Sequence, residues 1–324
     1  MNNLKILVTG VAGFIGSNIA LDINKKYKSA SIVGVDNLRN NKFKNLIDVE
    51  LVDYYDKNQI EECLNSHDFD IIFHQGACSD TMEMNEKYII ENNFNFSKRI
   101  FKYAREKKSR LIYASSAATY GLGHNFEEIK SNEKPLNPYG YSKLLFDNFV
   151  RQSISKEDSV VGLRYFNVYG KREQHKGRMS SVIFHFYNQY LNDKKIKIFG
   201  EYGGFSNGMH ERDFIFIDDI VDVNLKLTLM KSCGIFNLGS GSITTYNEVG
   251  VHVINSILST NYSLDECLNK GIIKYVDFPD DLKGKYQTHT KANLNNLIKS
   301  GLDHKMTPIS IGIKKYVDYL IACE

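Results

Sequence analysis

The sequence predicts an α/β protein: a doubly wound parallel sheet joined to a second, smaller α/β domain. Three observations carry that prediction. Short β-branched runs alternate with longer amphipathic stretches through the first half of the chain, as in βαβ units whose sheet is covered on both faces. A glycine turn, TGVAGFIGS, closes the first run and opens a helix. After Asn167 the alternation loosens, which puts the smaller domain mainly in the later sequence.

Strands are expected at Leu4–Thr9, Ser31–Asp36, Val49–Asp53, Asp70–His74, Arg110–Ser115 and Val160–Phe166. The stretch Glu86–Lys107 is amphipathic at helical spacing, and another helix begins near Tyr139. Segment 167–212 holds a cationic loop (KREQHKGR), a helix-like stretch (SVIFHFYNQYL) and a glycine-rich loop (GEYGGFSNGMHER). Strand character returns at Phe214–Ile217 and Ile235–Leu238. The expected division is therefore 1–166 plus 213–240 for the nucleotide-binding domain, and 167–212 plus 241–324 for the smaller one.

Composition narrows the function classes. The chain has 324 residues, 42% hydrophobic and 24% charged, with a net charge of +3. A nucleic-acid binder usually shows a stronger basic bias. The five cysteines (Cys63, Cys78, Cys233, Cys267 and Cys323) are scattered and form no CxxC. They suggest neither a disulfide framework nor a metal site, and they fit a reducing, cytoplasmic setting. No apolar run approaches the roughly 20 residues needed to span a bilayer, and the first residues carry no leader pattern.

Gly10, Gly13 and Gly16 form GxxGxxG between a strand and a helix. The triad alone is weak, but this context is the one in which it binds a dinucleotide, the Rossmann arrangement. Glycines allow the tight turn and let backbone approach a pyrophosphate at the helix N-terminus, where free N–H groups favour negative charge. Asp36 ends the second strand 20 residues after Gly16, where an acid would hold a ribose. Arg39 and Lys42 follow closely, and Asn37 softens the local charge. Cations there accommodate the 2′-phosphate of NADP, so NADP is favoured over NAD.

Residues 137–143 read NPYGYSK. Tyr139 and Lys143 stand four apart and share a helix face. An ammonium nearby favours the phenolate, which suits Tyr139 to acid/base work. Upstream, YASSAATYG places Ser115 and Ser116 at a strand end, where a hydroxyl could orient a substrate alcohol.

At these residues the chain resembles the extended short-chain dehydrogenase/reductase family, in particular its nucleotide-sugar epimerases and dehydratases. TGVAGFIG, the serine strand end, YGYSK and RYFNVYG carry the resemblance over essentially the whole chain. It implies a tightly held dinucleotide, transient oxidation of a sugar carbon, a smaller domain that grips the nucleotide diphosphate, and a homo-oligomer. Dehydratases carry an Asp-Glu pair beside the serine strand end; here Ala117 and Ala118 follow Ser116, which favours an epimerase. A binding protein that only senses the dinucleotide would not need Tyr139 and Lys143.

Longer strings (FHQGACS, YASSAATYG, KPLNPYGYSK, RYFNVYG with RE and HKG, and FPDDLKGKYQ) are similar to the epimerase branch that inverts C6″ of an ADP-linked heptose. An epimerase acting on a UDP-sugar at C4 is the alternative. The resemblance implies two acid/base groups on opposite faces of the sugar, Tyr139 and Lys176. Lys143 would hold the nicotinamide ribose and Ser116 the sugar. As a base, Lys176 would need its pKa lowered, which like charges on Lys171, Arg172 and Arg178 could do. The plainer alternative is a loop that only binds phosphates.

For the cofactor the resemblance further implies Phe14, Ile15, Asp36, Asn37, Lys42, Lys57, the loop Gln75, Gly76, Ala77, Cys78 and Ser79, then Asn92, Val168 and Lys176. For the substrate it implies Asn167, Arg178, His185, Phe199, Arg212 and Tyr286. Gln75 stands where the family usually has glutamate, and Arg178 where it usually has serine. The 200–211 loop is longer than usual and glycine-rich.

Overall fold

The computed structural model describes residues 3–155, 157–284 and 286–323. Lys285 of the FPDDLKGKYQ string lies outside the described residues. The strands are β1 (Lys5–Thr9), β2 (Ser31–Asp36), β3 (Asp53–Asp56), β4 (Ile71–His74), β5 (Arg110–Ser116), β6 (Val160–Tyr165), β7 (Asn167–Tyr169), β8 (Ile196–Phe199), β9 (Glu211–Arg212), β10 (Phe214–Phe216), β11 (Gly234–Leu238), β12 (Thr244–Thr245) and β13 (Ile273–Val276). Seven of them make one parallel sheet in the order β11-β6-β5-β4-β1-β2-β3.

Side-chain alternation along these strands builds two cores, because successive residues point to opposite faces. Ile6, Val8, Phe73 and Leu163 face the helices Phe14–Lys26 and Ile217–Leu227. Leu7, Ile72, Leu111 and Tyr113 face Ile60–Ser66, Phe96–Lys107 and Pro138–Ser153. This is the doubly wound sheet expected from the sequence.

Three details differ. The third strand lies at Asp53–Asp56 rather than Val49–Asp53. It pairs from Val33↔Asp53 to Asp36↔Asp56, while Val49 and Leu51 pack onto the core from a loop. The run ending at Phe166 divides: Phe166 N–H still donates to Leu238 O, and β7 then leaves to pair with β10. Glu86–Lys107 is helical, but Ile90–Asn95 forms a π-helical segment within it.

Beyond β7 the helices Val182–Asp193, Tyr246–Leu258 and Ile309–Ala322 pack beside a parallel pair, β8 and β13. A short antiparallel pair, β9 and β12, stands by the glycine-rich loop. Near the main sheet's C-terminal end lies a buried ionic network. Arg164, 0% exposed, pairs with Asp147 at 2.8 Å and Glu133 at 2.6 Å, and Arg151 also pairs with Glu133. Tyr113 and Ser115 hydroxyls donate to the same Asp147 at 2.9 Å. Among the described residues no helix is long and apolar enough to cross a membrane, and no group of His, Cys, Asp and Glu could hold a metal ion.

Candidate active site

The glycine turn fits a dinucleotide closely. Gly10 has φ +69°, and a Cβ there would meet Gly76 backbone at 2.7 Å. A Cβ on Gly16 would sit 2.2 Å from Gly10 O. Those distances forbid a side chain, so the turn and the loop after β4 close on each other. The helix beginning at Phe14 has no side-chain N-cap and no acid in its first turn. Its first N–H groups are therefore left for an anion. Asp36 accepts from Ala12 N–H at 3.0 Å and from Asn37 N–H at 2.7 Å. Lys42 donates to both Asp36 (3.0 Å) and Asn37 (3.2 Å), which gathers three of the residues expected around the adenosine end. Lys57 and Asn92 meet at 2.6 Å.

The loop Gln75, Gly76, Ala77, Cys78 and Ser79 leaves β4 directly toward this turn. Gly76 N–H donates to Thr9 Oγ1, and Cys78 N–H to Asn93 Oδ1. Gln75 Oε1 accepts from the Tyr165 hydroxyl at 3.0 Å, whereas its amide nitrogen is buried with no partner. An unpartnered donor facing the loop is what a passing polar cofactor would satisfy. Beneath, His74 lies between Thr9 (2.6 Å) and Ser97 (2.7 Å). Burial, with help from Lys143, lowers its pKa to about 3, so the ring is a neutral structural link.

Tyr139 sits in the first turn of Pro138–Ser153, whose start is set by Asn137 accepting from Gly140 N–H and by proline at the first helical position. Burial raises the Tyr139 pKa, and a hydrogen bond from Ser116 opposes it. Lys143 donates to Ala114 O at 2.8 Å and stands 6.0 Å from the Tyr139 ring centre. Burial lowers Lys143 to about 8, against the pull of Asp147. Ser116, rather than the expected ammonium, is thus the group that draws Tyr139 toward ionisation.

The cationic loop is a short irregular helix, Gln174–Met179, broken at Gly177 (φ 55°). Its charges are dispersed rather than gathered. Lys171 pairs with Asp218 at 3.0 Å, Arg172 with Asp48, and Arg178, 68% exposed at its side chain, with Asp80 at 2.8 Å. Lys176 instead lies 5.0 Å over the Phe14 ring and 3.8 Å from Glu173. Its pKa is lowered by burial, and Glu173 opposes the shift. The expected repulsion from neighbouring cations is not its cause, since each of those cations has its own carboxylate.

The remaining predicted residues fall into two groups. Asn167 Nδ2 donates to Asp213 O (3.1 Å) and Thr290 Oγ1 (3.3 Å), and Val168 pairs with Ile215. Arg212, buried, stacks 4.6 Å over Tyr286 and 6.0 Å over Tyr246. Phe199 and Tyr286 both touch Phe278. A cleft of about 220 Å³, lined by Tyr202, Gly203, Tyr286 and His289 among others, opens beside them. His185 lies apart from this group, 3.3 Å from Arg178 O. Sequence reasoning missed Asn45, which donates to Ala12 O (3.0 Å) and Arg172 O (3.1 Å) and so clamps the cationic loop to the glycine turn. It also missed Glu173, although that residue stands only three positions before Lys176.

Fold and site together define a dinucleotide-dependent enzyme of the short-chain dehydrogenase/reductase type. Residues 6–239 match the NAD dependent epimerase/dehydratase family. The chain is 43% identical over 327 aligned residues to the ADP-L-glycero-D-manno-heptose-6-epimerase of Pseudomonas aeruginosa, covering 98% of this chain and 99% of that one. The structure of the Helicobacter pylori protein of the same name superposes with a TM-score of 0.85 at 32% identity, over 99% and 97% of the two chains. A Bacillus cereus UDP-glucuronic acid 4-epimerase in complex with NAD shares the fold, with a TM-score of 0.79 at 20% identity over 99% and 100%. The chain therefore belongs to the NAD dependent epimerase/dehydratase family and works with a nicotinamide dinucleotide.

Proposed function

We propose that this chain inverts C6″ of ADP-D-glycero-β-D-manno-heptose to the L-glycero epimer, a heptose donor for the inner core of lipopolysaccharide, with NADP as its cofactor. The observation that carries this reading is full-length similarity to a 6-epimerase, joined to two separate proton-carrying groups, Tyr139 beside Ser116 and Lys176 over the glycine turn.

A bound dinucleotide, held by the glycine turn and Lys143, would supply the hydride chemistry by which C6″ is oxidised to a ketone and reduced again from its other face. The protein does the rest. Tyr139 exchanges the proton of the C6″ hydroxyl on one face, and Ser116 orients that oxygen. Lys143 holds the ribose through its ammonium. Once the ketone presents its other face, its oxygen points elsewhere, and Lys176 exchanges the second proton. Arg212 grips the diphosphate, its planar donors matching phosphate oxygens. Lys42, beside Asp36, supports the 2′-phosphate and hence NADP. The segments 167–212 and 241–324 form the substrate-gripping domain, and the enzyme works in the cytoplasm as a homo-oligomer. There is no net redox change.

The test is an NMR time course of purified protein with ADP-D-glycero-β-D-manno-heptose, and UDP-glucose in a parallel tube. Conversion at C6″ without added cofactor is expected. Conversion of UDP-glucose alone would replace the substrate assignment with the 4-epimerase reading. No conversion of either, with NADP added, would overturn both in favour of a dinucleotide-sensing protein.

A further inference from the structure

Glu173 is buried to 0% exposure, yet it carries a carboxylate. A charge so placed is costly unless its lone pairs are filled. They are filled from one side: Ser181 N–H and Ser181 Oγ each donate at 2.6 Å, and Gly170 N–H at 3.3 Å. Ser181 is the N-cap of Val182–Asp193, so the carboxylate is tied to the start of that helix. Ser180 also donates to the Glu173 carbonyl at 3.2 Å. On its other side Glu173 Oε2 faces Lys176 Nζ at 3.8 Å.

The groups around this pair leave few other partners. Lys176 faces the Phe14 ring, Glu173 and the neighbouring His175. His175 is itself near Lys42 and Asp36, and burial with those lysines lowers it to about 4, so it brings no positive charge at neutral pH. Glu173 also faces the buried Tyr316 phenol, whose pKa is raised first by burial and then by the carboxylate, so the phenol stays neutral. Glu173 is accordingly the one carboxylate paired with Lys176 among the described residues.

We propose that Glu173 is the positioning residue of Lys176: it aims the side chain over the glycine turn and keeps enough of it as ammonium to serve as an acid as well as a base. The proposal rests on the reading of Lys176 as the second acid/base. An epimerase needs that group in both protonation states, because the reaction runs in both directions through the same atoms. Burial lowers the Lys176 pKa and so favours its base form. A fixed carboxylate within 4 Å returns the ammonium form to the working pH range.

The test measures two things on the protein as purified with its bound dinucleotide. One is the pH dependence with which Lys176 is labelled by an amine-reactive reagent, followed by mass spectrometry of its peptide. The other is turnover against pH. Glu173→Gln keeps the shape and a hydrogen-bond acceptor but removes the charge. Its Lys176 labelling midpoint is expected to fall by about one pH unit or more, with the matching limb of the turnover profile moving likewise. Glu173→Asp keeps the charge but withdraws it by one methylene, and a smaller shift in the same direction is expected. Should the glutamine variant fail to fold, the aspartate variant alone carries the test. An unchanged midpoint in a folded variant overturns the proposal. Lys176→Met separates the two claims: full turnover in that variant removes the catalytic reading of Lys176, whereas its loss, together with an unmoved midpoint in Glu173→Gln, removes only the role of Glu173.

Discussion

Tyr139 and Lys176 are both proton carriers in the proposed reaction, yet different kinds of structure hold them. Tyr139 stands on a capped helix that is locked to the sheet two turns further on, through Asp147 and Arg164. Lys176 stands on a short helical turn broken at Gly177. The residues leading into that turn are tied to Asn45, Asp48 and Asp218, all far off in sequence, and to the nearby Ser181. The helix makes a single side chain replaceable without moving its neighbours. The loop makes the position of one side chain depend on several others. Substitutions near Tyr139 should therefore remove chemistry alone, and substitutions near Lys176 should disturb chemistry and local order together.

The sharpest way to break this contrast is Tyr139→Phe. Turnover should fall by about 10²- to 10⁴-fold, the usual worth of a positioned acid/base. Nucleotide extracted from the purified variant should match the wild type in amount, because the phenyl ring keeps the packing. Loss of bound dinucleotide would mean that the helix is less independent than the structure indicates.

Arg172→Ala probes the other side. It strips a buried guanidinium from Asn45 O and from Asp48. A loss of about 1–3 kcal/mol in urea unfolding is expected, together with faster proteolysis within 171–178 and lower turnover. Unchanged proteolysis would show that the remaining ties suffice. Arg212→Ala should raise KM about 10- to 100-fold with a smaller effect on kcat, as expected for a lost charge-assisted contact to a diphosphate.

The pH dependence offers a finer comparison. Lys143 titrates at about 8 in the folded chain, below its ordinary value of 10.5. In the proposed reaction the Lys143 ammonium holds the ribose, and it is present below that pH, so turnover should decline as pH rises through about 8. Stability moves the other way. Between about 8 and 10.5 the unfolded chain binds the extra proton, so this group lets stability rise with pH across that window. Lys42→Ala gives the smallest effect: a loss of about tenfold in preference for NADP over NAD, read from competitive retention of the two nucleotides.

Much of the Tyr139 region was legible in the sequence. A strand–glycine–helix turn and a Tyr and Lys four apart are local patterns, and local patterns survive folding. The environment of Lys176 was not. Its lowered pKa comes from burial, and its neighbours' charges are spent on Asp218, Asp48 and Asp80. The clamp from Asn45 reaches across 127 positions of sequence, which no spacing rule reveals. The third strand was misplaced for a similar reason. Val49 and Leu51 look like strand residues because apolar side chains alternate there, but they are partly buried and pack from a loop. Glu173 was hidden by its ordinariness, since a lone glutamate in a charged loop looks solvated until the fold encloses it.

The buried network of Arg164, Asp147, Glu133 and Arg151 sets a limit on how this protein can change over time. Arg164, Asp147 and Glu133 are almost wholly enclosed, so replacing one of them leaves an opposite charge under-paired in a dry interior, at a cost of about 3–5 kcal/mol, while replacing several together can be nearly neutral. Because Asp147 lies two turns after Tyr139 on the helix Pro138–Ser153, drift in that helix is tied to drift in the sheet. Descendants of this chain should therefore keep all four residues or exchange them jointly, with few intermediates between.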